Sequence, residues 1–168
     1  VKPAVLPRRA AQAARGNRAT PAIDPRHACF RLRVTHSRIQ GHGVFAEEPI
    51  PAGRKVIEYT GERIARAEIR RRFVRAWLRR GDRHIYLAAI NAYWAIDGSV
   101  GGSGAEYMNH SCDPNLHCRK IREHLLFFSR RTIRRGEELT LDYGFPKDGP
   151  LVPCRCGARN CRGTINLR

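Results

Sequence analysis

Four cysteines split between two distant segments limit how this chain can fold more than any other feature. Cys112 lies in Asn109-His110-Ser111-Cys112-Asp113-Pro114-Asn115, a polar, turn-prone stretch, while Cys154, Cys156 and Cys161 crowd a Gly- and Arg-rich tail. Thiolates spaced C-x-C-x4-C can converge on one tetrahedral zinc, but they supply three ligands and a closed structural site needs four. Cys112 is the obvious fourth. Zinc bound in this way pins the C-terminal tail onto the Asn-His segment, which then becomes a candidate piece of an active site. Six cysteines are also compatible with three disulfides in a secreted protein. Disulfide scaffolds, however, are usually smaller than 168 residues and need no core of the size that 42% hydrophobic content supports. The two cysteines left over, Cys29 and Cys118, are expected to be buried structural thiols.

That length fits one domain. No apolar run approaches the roughly 20 residues that cross a bilayer, so no membrane partner is expected. The net charge is +17, carried by 32 Lys and Arg against 15 Asp and Glu, and most of the cations are Arg. A field of that sign favours polyanions such as nucleic acid or an assembly containing it. A coding bias that turns surface Lys into Arg gives the same composition, and both explanations can hold together.

Residues 1–27 carry Pro3, Pro7, Pro21 and Pro25 with little to bury, and read as a basic, disordered N-terminal arm. The prolines argue against reading that arm as a helical mitochondrial presequence. From Phe30 the pattern is strand and turn: Phe30-Arg31-Leu32-Arg33-Val34 alternates with period two. Lys55 to Tyr59 follows after the Pro51-Ala52-Gly53 turn. Further strands are expected at Ile85–Ile90, Trp94–Asp97, Leu116–Arg119, Leu125–Ser129 and Glu138–Leu141. One helix is expected over about Arg63–Arg80, where Ile69, Phe73 and Trp77 recur every four residues beside Val74 and Leu78. Its other face carries Arg66, Arg70, Arg71, Arg75 and Arg79, a solvated face or a phosphate-facing one. The fold class is mostly β, a β-rich α+β arrangement without internal repeats.

The motifs, taken in order, resemble the SET domain of protein-lysine methyltransferases. Gly41-His42-Gly43-Val44 looks like the family's Gly-x-Gly motif and Glu58-Tyr59-Thr60-Gly61-Glu62 like its Glu-Tyr-x-Gly-Glu strand end. Asn109 to Asn115 is similar to its signature, and Glu137 to Tyr143 to its final motif. Cys154-x-Cys156-Gly157-x3-Cys161-Arg162-Gly163 resembles the post-SET zinc segment. A lone Gly-x-Gly is weak, but five motifs in the right order are specific. The resemblance implies a SET domain over 28–145 with the helix inserted at about 63–80, and a post-SET segment over 150–168. It also implies small curled sheets in which the Asn-His and Asp-Tyr segments thread past each other in a knot-like arrangement.

By the same resemblance, the chain transfers methyl from S-adenosylmethionine to a lysine amine, with structural Zn2+ on Cys112, Cys154, Cys156 and Cys161. Tyr143 and Tyr86 are the expected catalytic channel tyrosines, Tyr143 also facing the cofactor. Gly41, His42, Gly43, Val44, Asn109 and His110 are the expected cofactor-binding residues. Leu141, two before the tyrosine, sits where Phe or Tyr commonly limits product multiplicity, so di- or trimethylation is expected. The chain departs from the family at Gly102-Ser103-Gly104-Ala105-Glu106-Tyr107, where Gly-Asn-x-x-Arg-Phe is usual. The expected substrate is a basic protein such as a histone tail. Because a +17 chain repels such a tail, the Arg-rich arm and helix are expected to contact nucleic acid beside it. The resemblance suits a monomer in the nucleus or on chromatin in a eukaryote, or in the cytoplasm of a bacterium. The competing reading is a catalytically weak nucleic-acid or chromatin-binding module that keeps zinc for structure.

Overall fold

The computed structural model describes residues 20–69, 71–72 and 86–167. Ten short strands carry the fold: β1 (Leu32–His36), β2 (His42–Ala46), β3 (Lys55–Tyr59), β4 (Glu62–Ala65), β5 (Leu87–Ala89), β6 (Trp94–Asp97), β7 (Asn109–His110), β8 (Leu116–Ile121), β9 (His124–Ser129) and β10 (Glu138–Leu141). They form three small sheets, ordered β1-β2-β10-β7, β3-β9-β8 and β4-β6-β5. The mostly β, small-sheet expectation therefore holds. All neighbours are antiparallel except β7 and β10, which run parallel with Thr140 opposite Asn109 and Leu141 opposite His110. That parallel pair brings together the two segments expected to thread past each other.

Alternation sets the core. On β9, Leu125, Phe127 and Ser129 point inward while His124, Leu126 and Phe128 point out. Val44, Ile50, Val56, Ile57, Leu116, Ile133 and Leu139 are almost wholly enclosed in one cluster. Each such aliphatic side chain contributes roughly 1.5–3 kcal/mol by burial.

The helix expected from Arg63 starts later. Glu62–Ala65 is strand β4, paired register for register with β6, and only Ile64 of the four points inward. Cross-strand pairing outweighs helix propensity here: Arg63 lies 4.7 Å over the Trp94 ring and forks onto Glu123. Residues 66–69 and 71–72 are helical. Arg71 pairs with Glu68, and Arg72 reaches Glu62, Glu68 and Asp97. Arg70, Phe73, Val74, Arg75, Trp77, Leu78 and Arg79 lie outside the described residues.

Strand β5 begins at Leu87, so Tyr86 flanks it, and its carbonyl accepts from Gly98 N at 2.7 Å. The two spare cysteines correct the expectation of burial, since Cys29 and Cys118 are both exposed. Cys118 sits on β8, an edge strand whose burial fades after Leu116. Of the expected arm, residues 1–19 lie outside the described residues. Its last part is held against the body: Asp24 N donates to Ser103 O, Glu58 N to His27 O, and Ile23 packs on the core.

Candidate active site and metal centre

The parallel β7–β10 pair places Asn109 and His110 next to the strand that ends at Tyr143. Asn109 works as a bracket. Its Nδ2 lies 3.1 Å from Gln40 O, 2.9 Å from His42 O and 2.8 Å from Glu138 Oε1. Glu138 also accepts from Ser37 Oγ at 2.8 and 3.0 Å. The Gly41-His42-Gly43 loop is thus held from below by one amide and one carboxylate. Gly41 has a positive φ of 49°, and a Cβ at Gly43 would collide with the Glu138 carboxylate. Here glycine serves the loop's own packing against Glu138. Val44 is wholly buried in the core below the loop, and the His42 ring sits 6.0 Å from Tyr107.

His110 is buried, and desolvation holds its pKa low. Its Nδ1 accepts from Tyr143 N at 3.2 Å, and its ring lies 5.4 Å from the Tyr143 ring. Tyr143 is 40% exposed, yet its hydroxyl is turned inward and donates to Met108 O at 3.0 Å. Burial pushes that phenol up to about 12. Tyr143 is therefore a neutral hydrogen-bond donor at any physiological pH and no base. Tyr86 lies close enough to add to that shift, and its ring meets Tyr107 edge-on at 5.6 Å. Phe145 lies 5.9 Å from Tyr143 on its other flank.

Tyr59 is a third tyrosine at this point. It is almost fully buried and its pKa is raised, first by desolvation and then by Glu106, Asp97, Tyr143 and Tyr86. Sequence reasoning missed it as a site residue, although it stands inside the quoted Glu-Tyr-x-Gly-Glu motif. Glu138 was missed as well, because one glutamate on a strand reads as a solvated side chain. Leu141 is half-buried, opposite His110, and packs against the core cluster.

The four cysteines expected to bind zinc do meet. Their sulfurs all lie within 4.8 Å of one another, with Cys112 Sγ 3.7 Å from Cys154 and 4.0 Å from Cys161. A tetrahedron of thiolates about 2.3 Å from zinc has edges of about 3.8 Å, so the set fits that ion. Backbone N–H groups point at the sulfurs: Cys112 N at Cys156, Cys156 N at Cys154, Arg162 N at Cys112 and Gly163 N at Cys161. Such donors stabilise thiolate over thiol. His110 Nε2 sits 3.4 Å from Cys112 Sγ, so the four-cysteine cluster adjoins the His110–Tyr143 pair.

A second tie joins tail to site. Arg162 forks onto Asp142 at 2.6 and 3.0 Å, and Asp142 Oδ1 lies 3.5 Å from His110 Nδ1. Burial alone would raise the Asp142 pKa, but hydrogen bonds from Arg162 and Gly144 N hold it below the usual carboxylate range. Further out, Asn166 is buried and donates to the carbonyls of Pro146 and Pro150 while accepting from Val152 N and Thr164 Oγ1.

The departures at Ser103 and Glu106 have internal uses. Ser103 is fully buried and donates to Glu58 O, and Glu106 accepts from Gly104 N at 2.8 Å. Desolvation raises the Glu106 pKa.

Comparisons with known proteins agree with this geometry. The sequence model of the SET domain family matches residues 41–144. Histone-lysine N-methyltransferase set-2 of Caenorhabditis elegans is 35% identical over 139 residues, 80% of this chain and 9% of that protein. Histone-lysine N-methyltransferase trithorax of Drosophila virilis is 36% identical over 79% of this chain and 4% of its own length. Histone-lysine N-methyltransferase SETD1B of Homo sapiens is 36% identical over 81% of this chain and 7% of its own length. The chain thus spans less than a tenth of each of these relatives. The crystal structure of KRYPTONITE in complex with mCHG DNA and SAH superposes with a TM-score of 0.68 at 30% identity, over 82% of this chain and 29% of that one. With a matching sequence model and an overlapping fold, this chain belongs to the SET-domain family.

Proposed function

We propose that the chain is a protein-lysine methyltransferase that takes its methyl group from S-adenosylmethionine and acts on a histone tail or a similar basic protein on chromatin. The observation that carries this reading is the parallel pairing of Asn109-His110 with Thr140-Leu141, which sets the Tyr143 ring 5.4 Å from His110 beside the four converging cysteines. The names of the relatives and the SAH bound to KRYPTONITE support it.

Bound in the site, S-adenosylmethionine supplies an electrophilic methyl on a sulfonium. The lysine must arrive as the neutral amine. With an unperturbed pKa of ~10.4, deprotonating it at pH 7 costs about 4–5 kcal/mol at ~1.36 kcal/mol per pKa unit. Aromatic walls disfavour the ammonium by desolvation. Tyr143 stays protonated, so it positions and polarises and does not accept the proton. Asn109 and Glu138 fix the Gly41-His42-Gly43 loop, on which, with His110, the cofactor is proposed to lie. Zinc on Cys112, Cys154, Cys156 and Cys161 would hold the tail, and through Arg162 and Asp142 the Tyr143 segment, in register with that loop. Leu141 offers no hydroxyl next to the channel, which supports di- or trimethyl product.

The test is methyl transfer from labelled S-adenosylmethionine to core histones, nucleosomes and a basic ribosomal fraction, with Tyr143→Phe alongside. Label on one protein, lost in the variant, is the expected result. No label from a folded, zinc-replete protein would overturn the reading and favour a binding module.

A further inference from the structure

The outward face of the β3-β9-β8 sheet carries an arrangement that the proposed methyl transfer does not use. Register places Lys55, Phe128 and His117 in one row across the three strands, and Glu58, Leu126 and Arg119 in the next. His117 stacks on Phe128 with centroids 5.9 Å apart and planes 29° apart. The Arg119 guanidinium lies 4.8 Å over the same ring. The result is a layered patch of planar groups on an antiparallel sheet.

Its charge is one-sided. Arg119 and Arg130 both bear on His117, whose pKa is lowered first by desolvation and then by those two cations. Among the described residues, Lys55, Arg119 and Arg130 make no ion pair. Glu58, the acid that the register places on this face, already has partners: His124 Nδ1 at 2.6 Å and His27 Nδ1 at 4.0 Å. The other described arginines near acids behave differently. Arg26, Arg31, Arg63, Arg71, Arg72, Arg131 and Arg162 each meet a carboxylate. Lys55, Arg119 and Arg130 thus stand beside the His117–Phe128 pair without a carboxylate partner.

We propose that this sheet face binds single-stranded nucleic acid, bases stacking on His117, Phe128 and the Arg119 plane while Lys55, Arg119 and Arg130 take phosphates. A positively charged surface with exposed π-faces is what sequence-tolerant single-strand binding requires. An acidic protein would use the charges but has no need of stacked rings, and a duplex hides its base faces. None of the proposed binding residues belongs to the N-terminal arm or to the helix after β4.

The test is a fluorescence-anisotropy titration of the full, zinc-loaded chain against a labelled single-stranded oligonucleotide. The same-sequence duplex, an abasic strand of equal length and polyglutamate serve as competitors. Paired His117→Ala and Arg119→Ala substitutions on this exposed edge are expected to weaken single-strand binding about tenfold or more. The salt dependence should become shallower by about 0.7 in log–log slope for each phosphate no longer neutralised. Arg119→Lys should keep that slope and still lose affinity, since the ammonium holds the charge without the plane. Arg8→Ala with Arg9→Ala reports on the arm separately. Unchanged affinity in the sheet variants, loss only in the arm variant, or equal competition by duplex, abasic strand or polyglutamate would each overturn the proposal. No methyl donor enters the titration, so its failure and that of the methyltransferase reading are distinguishable.

Discussion

The sheet body and the cysteine-bearing tail are built on opposite principles. The body is held by apolar burial: Val44, Ile50, Val56, Ile57, Ile133 and Leu139 have almost no exposed surface. From Phe145 onward the described chain has no named strand, only isolated bridges, and Leu151, Val152 and Leu167 are exposed. What orders the tail is a thiol cluster, the Arg162–Asp142 fork and the buried Asn166 amide. Burial tolerates imperfect geometry, whereas metal and hydrogen bonds do not, so the two regions should fail under different insults.

Removing the metal should separate the two regions most clearly. Chelation, or Cys154→Ser, should abolish about 99% or more of methyl transfer, because zinc binding is local folding energy. The tail's amides should lose hydrogen-exchange protection while those of β2, β3 and β9 keep it. Simultaneous loss of protection in both regions would dissolve the distinction. The reverse insult is Ile57→Ala, expected to cost about 2–5 kcal/mol in denaturant unfolding. Zinc stoichiometry of the folded fraction should stay at one per chain.

Tyr143→Phe should cut kcat by about 10²–10³ if its hydroxyl acts on the transferring group, with Tm nearly unchanged. A smaller effect follows from Arg162→Ala, which leaves Asp142 without its fork. Activity should fall about tenfold, and a double-mutant cycle with Asp142→Asn should show coupling of roughly 1–3 kcal/mol. The smallest concerns Glu106, whose folded pKa is raised by desolvation. A raised carboxylate pKa means stability is lost as pH climbs from the unfolded value through the folded one. Glu106→Gln should therefore raise Tm at pH 7, and that gain should vanish by about pH 3, below the unfolded pKa, where both states are protonated. A gain independent of pH would assign the effect to packing.

Most of the strand ladder was legible because alternation is local: Lys55–Tyr59, Trp94–Asp97 and Glu138–Leu141 emerge with the expected bounds. The start of the helix was not, since Arg63 is drawn into β4 by partners on β6 and at Glu123 that no local window contains. The cysteine set was legible from spacing and donor chemistry. Asn109 was legible only as a motif residue. Its three-way bracket depends on Gln40, His42 and Glu138, which meet only after folding. Cys29 and Cys118 misled for a different reason: average burial of a residue type says nothing about an edge strand or a loop.

The bracket at Asn109 also bears on the order in which this molecule can come into being. It fastens a loop at residues 40–42 using a carboxylate at Glu138, and the thiol cluster beside it waits for Cys161. Pairings of such long sequence separation form late and slowly. A ribosome making this chain would thus release the Gly41-His42-Gly43 loop early, as a slack segment, and complete its support only once Glu138 has emerged. A product stopped short of Glu138 would have strands but no carboxylate to support that loop.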